Sequence, residues 1–310
     1  MRRSEDWQAG TLDTRTGATL QLYERLPERP KAIVHICHGM AEHAGRYDRF
    51  ARALASAGYG AVAHDHRGHG GTKAPDAALG HFGGRGWSDV VADTEAVNRT
   101  IRDRFGKTPV VVFGHSMGAL VALAYALEHS GTVEGVAVWN IDANWDALGR
   151  TFRALLMAER FFKGSDVSSA IAERLTFDTW NKAFAPNRTA FDWLSRDERE
   201  VDAYIADPLC GFPVTVGAWL AILDGMRFTG SAVALAGLPR DKVVHLLGGS
   251  EDPCSRKAAA LERLRDRLVT IGAQDVTFQR LEGARHESLN EIDRDATTAK
   301  FVAWLDRRFN

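Results

Sequence analysis

The pentapeptide Gly114-His115-Ser116-Met117-Gly118 has the form G-x-S-x-G and lies directly after the apolar run 110–113 and directly before a helical pattern. A serine hydroxyl becomes a nucleophile only when a base removes its proton, and a sharp strand-to-helix turn carries it clear of the backbone beside a helix N-terminus. Glycines on both sides let the chain make that turn. Such a serine asks for an acid and then a histidine later in the chain, each in a loop after a strand. Gly248-Gly249-Ser250-Glu251-Asp252-Pro253 follows the apolar run 243–247, and Gly283-Ala284-Arg285-His286-Glu287 follows 276–281. Asp252 is expected to hold one ring nitrogen of His286 and fix its tautomer, while the other nitrogen accepts the Ser116 proton. Taken alone, Asp252 also reads as a helix cap before Arg256 and His286 as a surface-loop histidine, and Asp142 and Asp224 are rival acids; the order Ser, Asp, His favours the joint reading. The negative oxygen of a tetrahedral intermediate needs backbone N–H donors. Met117, next to the serine, supplies one, and Met40 in the loop His38-Gly39-Met40 is expected to supply the other; one such donor is worth roughly a hundred- to a thousandfold in rate.

These residues need a scaffold, and the apolar pattern supplies it. Runs 32–37, 61–64, 110–113, 133–139, 243–247 and 276–281 are too continuously apolar for half-exposed strands, and 12–26 reads as a hairpin turning at Thr16-Gly17. Between them, 47–57, 87–104, 117–128, 256–271 and 293–309 repeat apolar residues at helical spacing. The alternation predicts an α/β fold with a mostly parallel central sheet and helices on both faces. Segment 142–235 breaks the rhythm and reads as an inserted helical cap, leaving 1–141 and 236–310 as the core. In it, Phe152, Leu155, Leu156, Phe161 and Phe162 form one apolar stripe, and Phe212, Val216, Trp219, Leu220, Leu223 and Met226 form another. Each residue on its own reads as packing; two stripes flanking the site suggest an apolar binding wall.

Composition narrows the classes of function. The 310 residues are 45% hydrophobic and 25% charged, enough to bury a large core, and 39 Lys plus Arg against 40 Asp plus Glu give a net charge of −1. No global field attracts nucleic acid. Cys37, Cys210 and Cys254 are too few and too scattered for a disulfide framework and fit a reducing compartment. Residues 1–14 lack the apolar stretch of a secretory leader, and the uncharged apolar stretch 208–223 is short of the roughly 20 residues that span a bilayer. A cytoplasmic location is expected.

The chain resembles the α/β-hydrolases of the monoacylglycerol lipase and lysophospholipase branch. The motifs that carry the resemblance are HGMAEHAGRY (residues 38–47), DHRGHGGT (65–72), GHSMGAL (114–120) and the GARHE stretch around His286, and FDWLSRDEREVDAYIADPLCGF (191–212) looks like bacterial members of that branch. The resemblance spans nearly the whole chain. It implies hydrolysis of carboxylic esters, typically of glycerol-linked or lyso-lipid acyl chains, with no metal or organic cofactor. The implied partner is a small acyl ester, with transient contact between the cap and a membrane or micelle surface.

Other readings compete. His64, His66 and His69 approximate the H-x-H-x-D-H zinc pattern of metallo-β-lactamase-like hydrolases, although Gly68 stands where that pattern has aspartate. Gly106-Lys107-Thr108 ends like a P-loop, but Ile101 occupies the first glycine position and the tripeptide precedes a strand; no G-x-G-x-x-G opens a helix after the first strand. A hydrolase-like protein that binds a ligand without turning it over, and iminopeptidase-like or haloperoxidase-like chemistry on the same triad, are further alternatives. Cys254, two residues past the expected acid, reads as a small buried hydrophobe or as a thiol near the pocket. His35, His43 and His81 read as structural, and His38 as shaping the loop that carries Met40.

Overall fold

The apolar runs form the strands β1 (Gln8–Asp13), β2 (Thr19–Arg25), β3 (Ile33–Cys37), β4 (Gly60–His64), β5 (Val110–His115), β6 (Gly135–Trp139), β7 (Val243–Gly249) and β8 (Asp275–Leu281) in a computed structural model that describes residues 7–309. The leader expectation for 1–14 therefore rests partly on residues 1–6, which lie outside the described residues. The strands make one sheet in the order β1-β2-β4-β3-β5-β6-β7-β8. β2 runs antiparallel to β1 and β4, and every other pairing is parallel. Every residue of β3, β4, β5 and β6 is buried, as continuous apolar runs require when helices cover both faces.

The helices are α1 (Asp48–Ser56), α2 (Trp87–Phe105), α3 (Met117–Glu128), α4 (Ala147–Lys163), α5 (Ala170–Leu175), α6 (Phe177–Lys182), α7 (Glu198–Ala206), α8 (Val216–Thr229), α9 (Ala232–Ala236), α10 (Ala259–Thr270) and α11 (Arg294–Asp306). Phe50 and Leu54 of α1 and Phe301 and Trp304 of α11 pack on one sheet face with Phe113 and Trp139. Residues of α2, α3 and α10 cover the other face. This is the α/β-hydrolase architecture. Parallel strands point their carboxyl ends to one edge, where an open α/β sheet binds its ligand. Segment α4–α9 enters after β6, returns at β7, and lies over that edge. No helix among the described residues is long and apolar enough to cross a membrane.

Two expectations need correction. The helix expected from 256 begins at Ala259, because Arg256, Lys257 and Ala258 hold positive φ of 54°, 58° and 68° in a left-handed turn. That turn swings the Arg256 guanidinium back onto Asp142 and Asp146. The first apolar stripe also divides. Phe152 and Leu156 turn inward, one helical turn apart, whereas Leu155, Phe161 and Phe162 face solvent, the two phenylalanines 84% and 82% exposed. All six members of the second stripe pack into the core.

Candidate active site

Ser116 is the single residue between β5 and α3, and its φ of 54° and ψ of −124° are strained for a residue with a side chain. Glycines make the turn possible by close approach. A Cβ at Gly114 would strike the Gly118 carbonyl, and one at Gly118 would strike the Cys37 and His38 carbonyls. The Ser116 N–H donates to Trp139 O at 2.9 Å, fastening the turn to β6.

The three residues nominated by chain order meet here. Ser116 Oγ lies 2.9 Å from His286 Nε2, and His286 Nδ1–H donates to Asp252 Oδ1 at 3.0 Å. Asp252 is wholly buried in the loop after β7, and its Oδ1 and Oδ2 also accept from the Cys254 N–H and the Asn140 side-chain amide. Burial alone would raise its pKa, but the His286 charge and hydrogen bonds from His286, Ser255 and Asn140 hold it below the usual carboxylate value. The rivals point elsewhere: Asp142 pairs with Arg256 and Asp224 with Arg153. Met40 and Met117 both line the cavity. Among the described residues no acceptor takes the Met40 N–H, while that of Gly39 is taken by Glu42 Oε1 at 2.5 Å. His38 sits inside this loop, donating from Nδ1 to Gly39 O and accepting the His66 N–H at Nε2.

Several residues that the sequence reading passed over complete the site. Asn140, at a positive φ that asparagine tolerates, bridges Asp252 and the Ser288 hydroxyl. Its only local signal is an asparagine just past a strand. Arg46 makes a bidentate pair with Glu287 at 2.6 and 2.8 Å and reaches Glu42 at 2.5 Å, joining the Met40 loop to the residue beside His286. His115 lies 3.6 Å from Glu42 and donates from Nε2 to His286 O at 3.0 Å. Burial lowers its pKa, but hydrogen bonding and charge from Glu42 outweigh burial and raise it. From the inserted segment, the Trp193 ring packs 4.7 Å from that of His286, and the Leu194 carbonyl accepts the Glu287 N–H at 2.7 Å. These are contacts between distant stretches, which no local pattern announces.

The zinc alternative at His64, His66 and His69 does not stand. The rings are buried, His64 Nδ1 faces His35 Nε2 at 3.2 Å, and the His66 and His69 centroids are 6.5 Å apart. Among the described residues, the donors of these three do not converge as a metal needs. Gly106 simply ends α2. Cys37, Cys210 and Cys254 are unpaired; Cys254 borders the cavity, with its thiol pushed well up by burial and by Asp252.

Ser116 and His286 floor a cavity of about 610 Å³. Phe152, Trp219, Leu223 and Met226 wall one part of it, and Glu42, His115 and Glu287 make another part polar.

The family model described as serine aminopeptidase, S33, matches residues 28–293. A monoglyceride lipase of Homo sapiens is 29% identical over 288 residues, covering 90% of this chain and 84% of that protein. A monoacylglycerol lipase of Mycolicibacterium smegmatis is 27% identical over 294 residues, covering 89% and 88%. A thermostable carboxyl esterase of Bacillus coagulans, solved with glycerol, superposes with a TM-score of 0.90 at 21% identity over 98% of this chain and 99% of that one. The chain belongs to the S33 serine aminopeptidase family of α/β-hydrolases, on the branch that holds the monoglyceride lipases.

Proposed function

We propose that this carboxylic ester hydrolase cleaves monoacylglycerols or lysophospholipids through an acyl-enzyme on Ser116. The observation that carries the reading is the hydrogen-bonded series Ser116, His286, Asp252 at the floor of a cavity with apolar walls and a polar end. Ser116 Oγ attacks the ester carbonyl while His286 Nε2 takes its proton, and the Met40 and Met117 N–H groups face the oxyanion. Collapse breaks the ester bond, and His286 returns the proton to the leaving alcohol. His286 then deprotonates a water that attacks the acyl-enzyme, and the second collapse releases the fatty acid and restores the serine. Asp252 keeps the imidazole oriented and compensates its charge throughout. The acyl chain runs along Phe152, Trp219 and Leu223, and the head group lies toward Glu42, His115 and Glu287. The names of the monoglyceride lipase relatives support this class of substrate.

In this reading residues 142–235 are a cap over a core formed by 1–141 and 236–310. The exposed Leu155, Phe161 and Phe162 of α4 are the surface that meets a membrane or micelle. The three free thiols fit a reducing, cytoplasmic setting. The test is a substrate panel of short p-nitrophenyl esters, monoacylglycerols, lysophospholipids and aminoacyl anilides, with Ser116→Ala as the blank and a fluorophosphonate probe as a label. Turnover of the acyl esters and labelling, both lost in Ser116→Ala, are expected. Turnover by Ser116→Ala, failure of the probe to label folded protein, or preference for the anilides would overturn the reading.

A further inference from the structure

Beside the loop that carries Met40, on two segments far apart in sequence, three chemically different donors meet. We propose that His43, Asp207 and Cys210 form a binding site for a divalent cation of the zinc class. One ligand atom from each residue lies within 4.8 Å of the other two, and His43 Nε2 is 2.9 Å from Asp207 Oδ2.

The backbone holds these donors in place. Asp207 Oδ1 is occupied by the Leu209 N–H at 2.9 Å, which leaves Oδ2 turned to His43. The Cys210 N–H donates to Asp207 O at 3.0 Å, and the Gly211 N–H to Ala41 O at 2.9 Å, so the 207–211 turn is seated on the segment bearing His43. On the other side, the Ala44 N–H is anchored to Asp65 Oδ1 at 2.8 Å.

Donor chemistry selects the cation. A thiolate, an imidazole and a carboxylate are the ligands zinc takes, and three protein ligands leave a fourth position for water. Calcium and magnesium prefer oxygen alone. Asp207 and a Cys210 thiolate would neutralise the two charges of the ion. The His43 and Asp207 side chains are 14% and 31% exposed, so an ion reaches them from solvent. The occupant would be a clip between the Met40 loop and the turn after α7, and no step of ester hydrolysis passes through it.

The test is metal titration of the full chain under a non-thiol, non-chelating reductant, with Co²⁺ as spectroscopic probe and Zn²⁺ as competitor. One Co²⁺ per chain is expected, with a thiolate-to-cobalt charge-transfer band that Zn²⁺ abolishes. Cys210→Ser should remove the band, Cys254→Ser should keep it, and His43→Gln and Asp207→Asn should each weaken binding at least tenfold. No thiolate band at stoichiometric cobalt, a band that survives in Cys210→Ser, or full affinity in both His43→Gln and Asp207→Asn would overturn the proposal. Should Cys210→Ser fail to fold, His43→Gln decides. The readout is independent of esterase activity, so its failure and that of the hydrolase reading are separate results.

Discussion

Acid should unfold this protein through its histidines before its carboxylates titrate. His35, His69 and His245 are buried in the sheet region, and burial pushes them from the ordinary value of about 6.5 to about 3, 4 and 3, with Arg308 and Arg307 helping to lower His245. Below pH 6.5 the unfolded chain therefore binds protons that the folded chain refuses. The stabilisation is complete above that pH and is lost as pH falls toward the folded values. Three such groups give a slope of about 4 kcal/mol per pH unit once the unfolded chain is mostly protonated, and a loss on the order of 4 kcal/mol by about pH 5.5. That is a large share of the roughly 5–15 kcal/mol that holds a typical domain together. His38, His64 and His66 are lowered too, chiefly by burial, and act in the same direction. His115 acts in the opposite direction: Glu42 outweighs burial and raises it, so its stabilisation is present below the unfolded value and is lost as pH rises through the folded one. The depressed carboxylates Asp252 and Glu287 contribute stability that is present above about pH 4 and lost below it, outside this window. Urea unfolding followed by tryptophan fluorescence at several pH values from about 7.5 to 5.5 measures the slope. His245→Gln, whose amide oxygen can still accept the Trp139 indole N–H, should lower it by about 1 kcal/mol per unit. Stability that stays flat down to about pH 5.5 and falls only in the carboxylate range would refute the argument.

Asp252→Asn should fold and bind substrate but lose about 10⁴-fold in kcat on p-nitrophenyl esters, because the amide cannot hold the His286 tautomer that Oδ1 now fixes. Arg46→Met should destabilise by about 3–5 kcal/mol in chemical denaturation, since it leaves the buried Glu42 and Glu287 carboxylates without their shared cation. Phe161→Ser with Phe162→Ser should change stability by less than about 1 kcal/mol, these rings being exposed. Its expected effect is loss of binding to lipid vesicles with turnover of short soluble esters retained; unchanged co-sedimentation with vesicles would count against α4 as the contact surface.

How legible the molecule was depends on the range of each interaction. The runs 32–37 and 110–113 announce their strands because burial on both faces demands unbroken apolar sequence, and G-H-S-M-G announces its turn because Gly114 and Gly118 lie against carbonyls that admit no side chain. The order Ser116, Asp252, His286 follows from which strands those loops leave. Asn140, Trp193, Arg46 and Glu287 were not legible, because each earns its place through a partner tens to hundreds of residues away. The stripe on α4 misled for a related reason: apolar spacing shows which residues share a helix face, not whether a neighbour covers that face. Phe152 and Leu156 have one; Phe161 and Phe162 do not. The left-handed turn at 256–258 defeats periodicity, since apolar spacing carries no sign of three consecutive positive φ values at residues with side chains.

The contacts around His286 also distinguish two stretches of the inserted segment by what holds them. Leu194 O accepts the Glu287 N–H, the Ser195 hydroxyl donates to Asn290 O, and Arg285 donates to the Asp192 and Ser195 carbonyls. Withdrawing 192–195 would strip hydrogen-bond partners from both sides of His286 and loosen the ring that accepts the serine proton in the proposed reaction. α4 is held differently. Arg256 grips its first turn through Asp146, Arg153 pairs at the surface with Asp224, and its distal end carries the exposed Phe161 and Phe162. Exposed ion pairs of this kind are worth roughly 1 kcal/mol or less, whereas the backbone hydrogen bonds at 192–195 are largely buried and costly to leave unmade. Stretch 192–195 is therefore tied to the loop that carries His286 by hydrogen bonds, whereas α4 combines its surface ion pairs with the inward packing of Phe152 and Leu156 and the buried hydrogen bond from the Ser169 hydroxyl to Glu159.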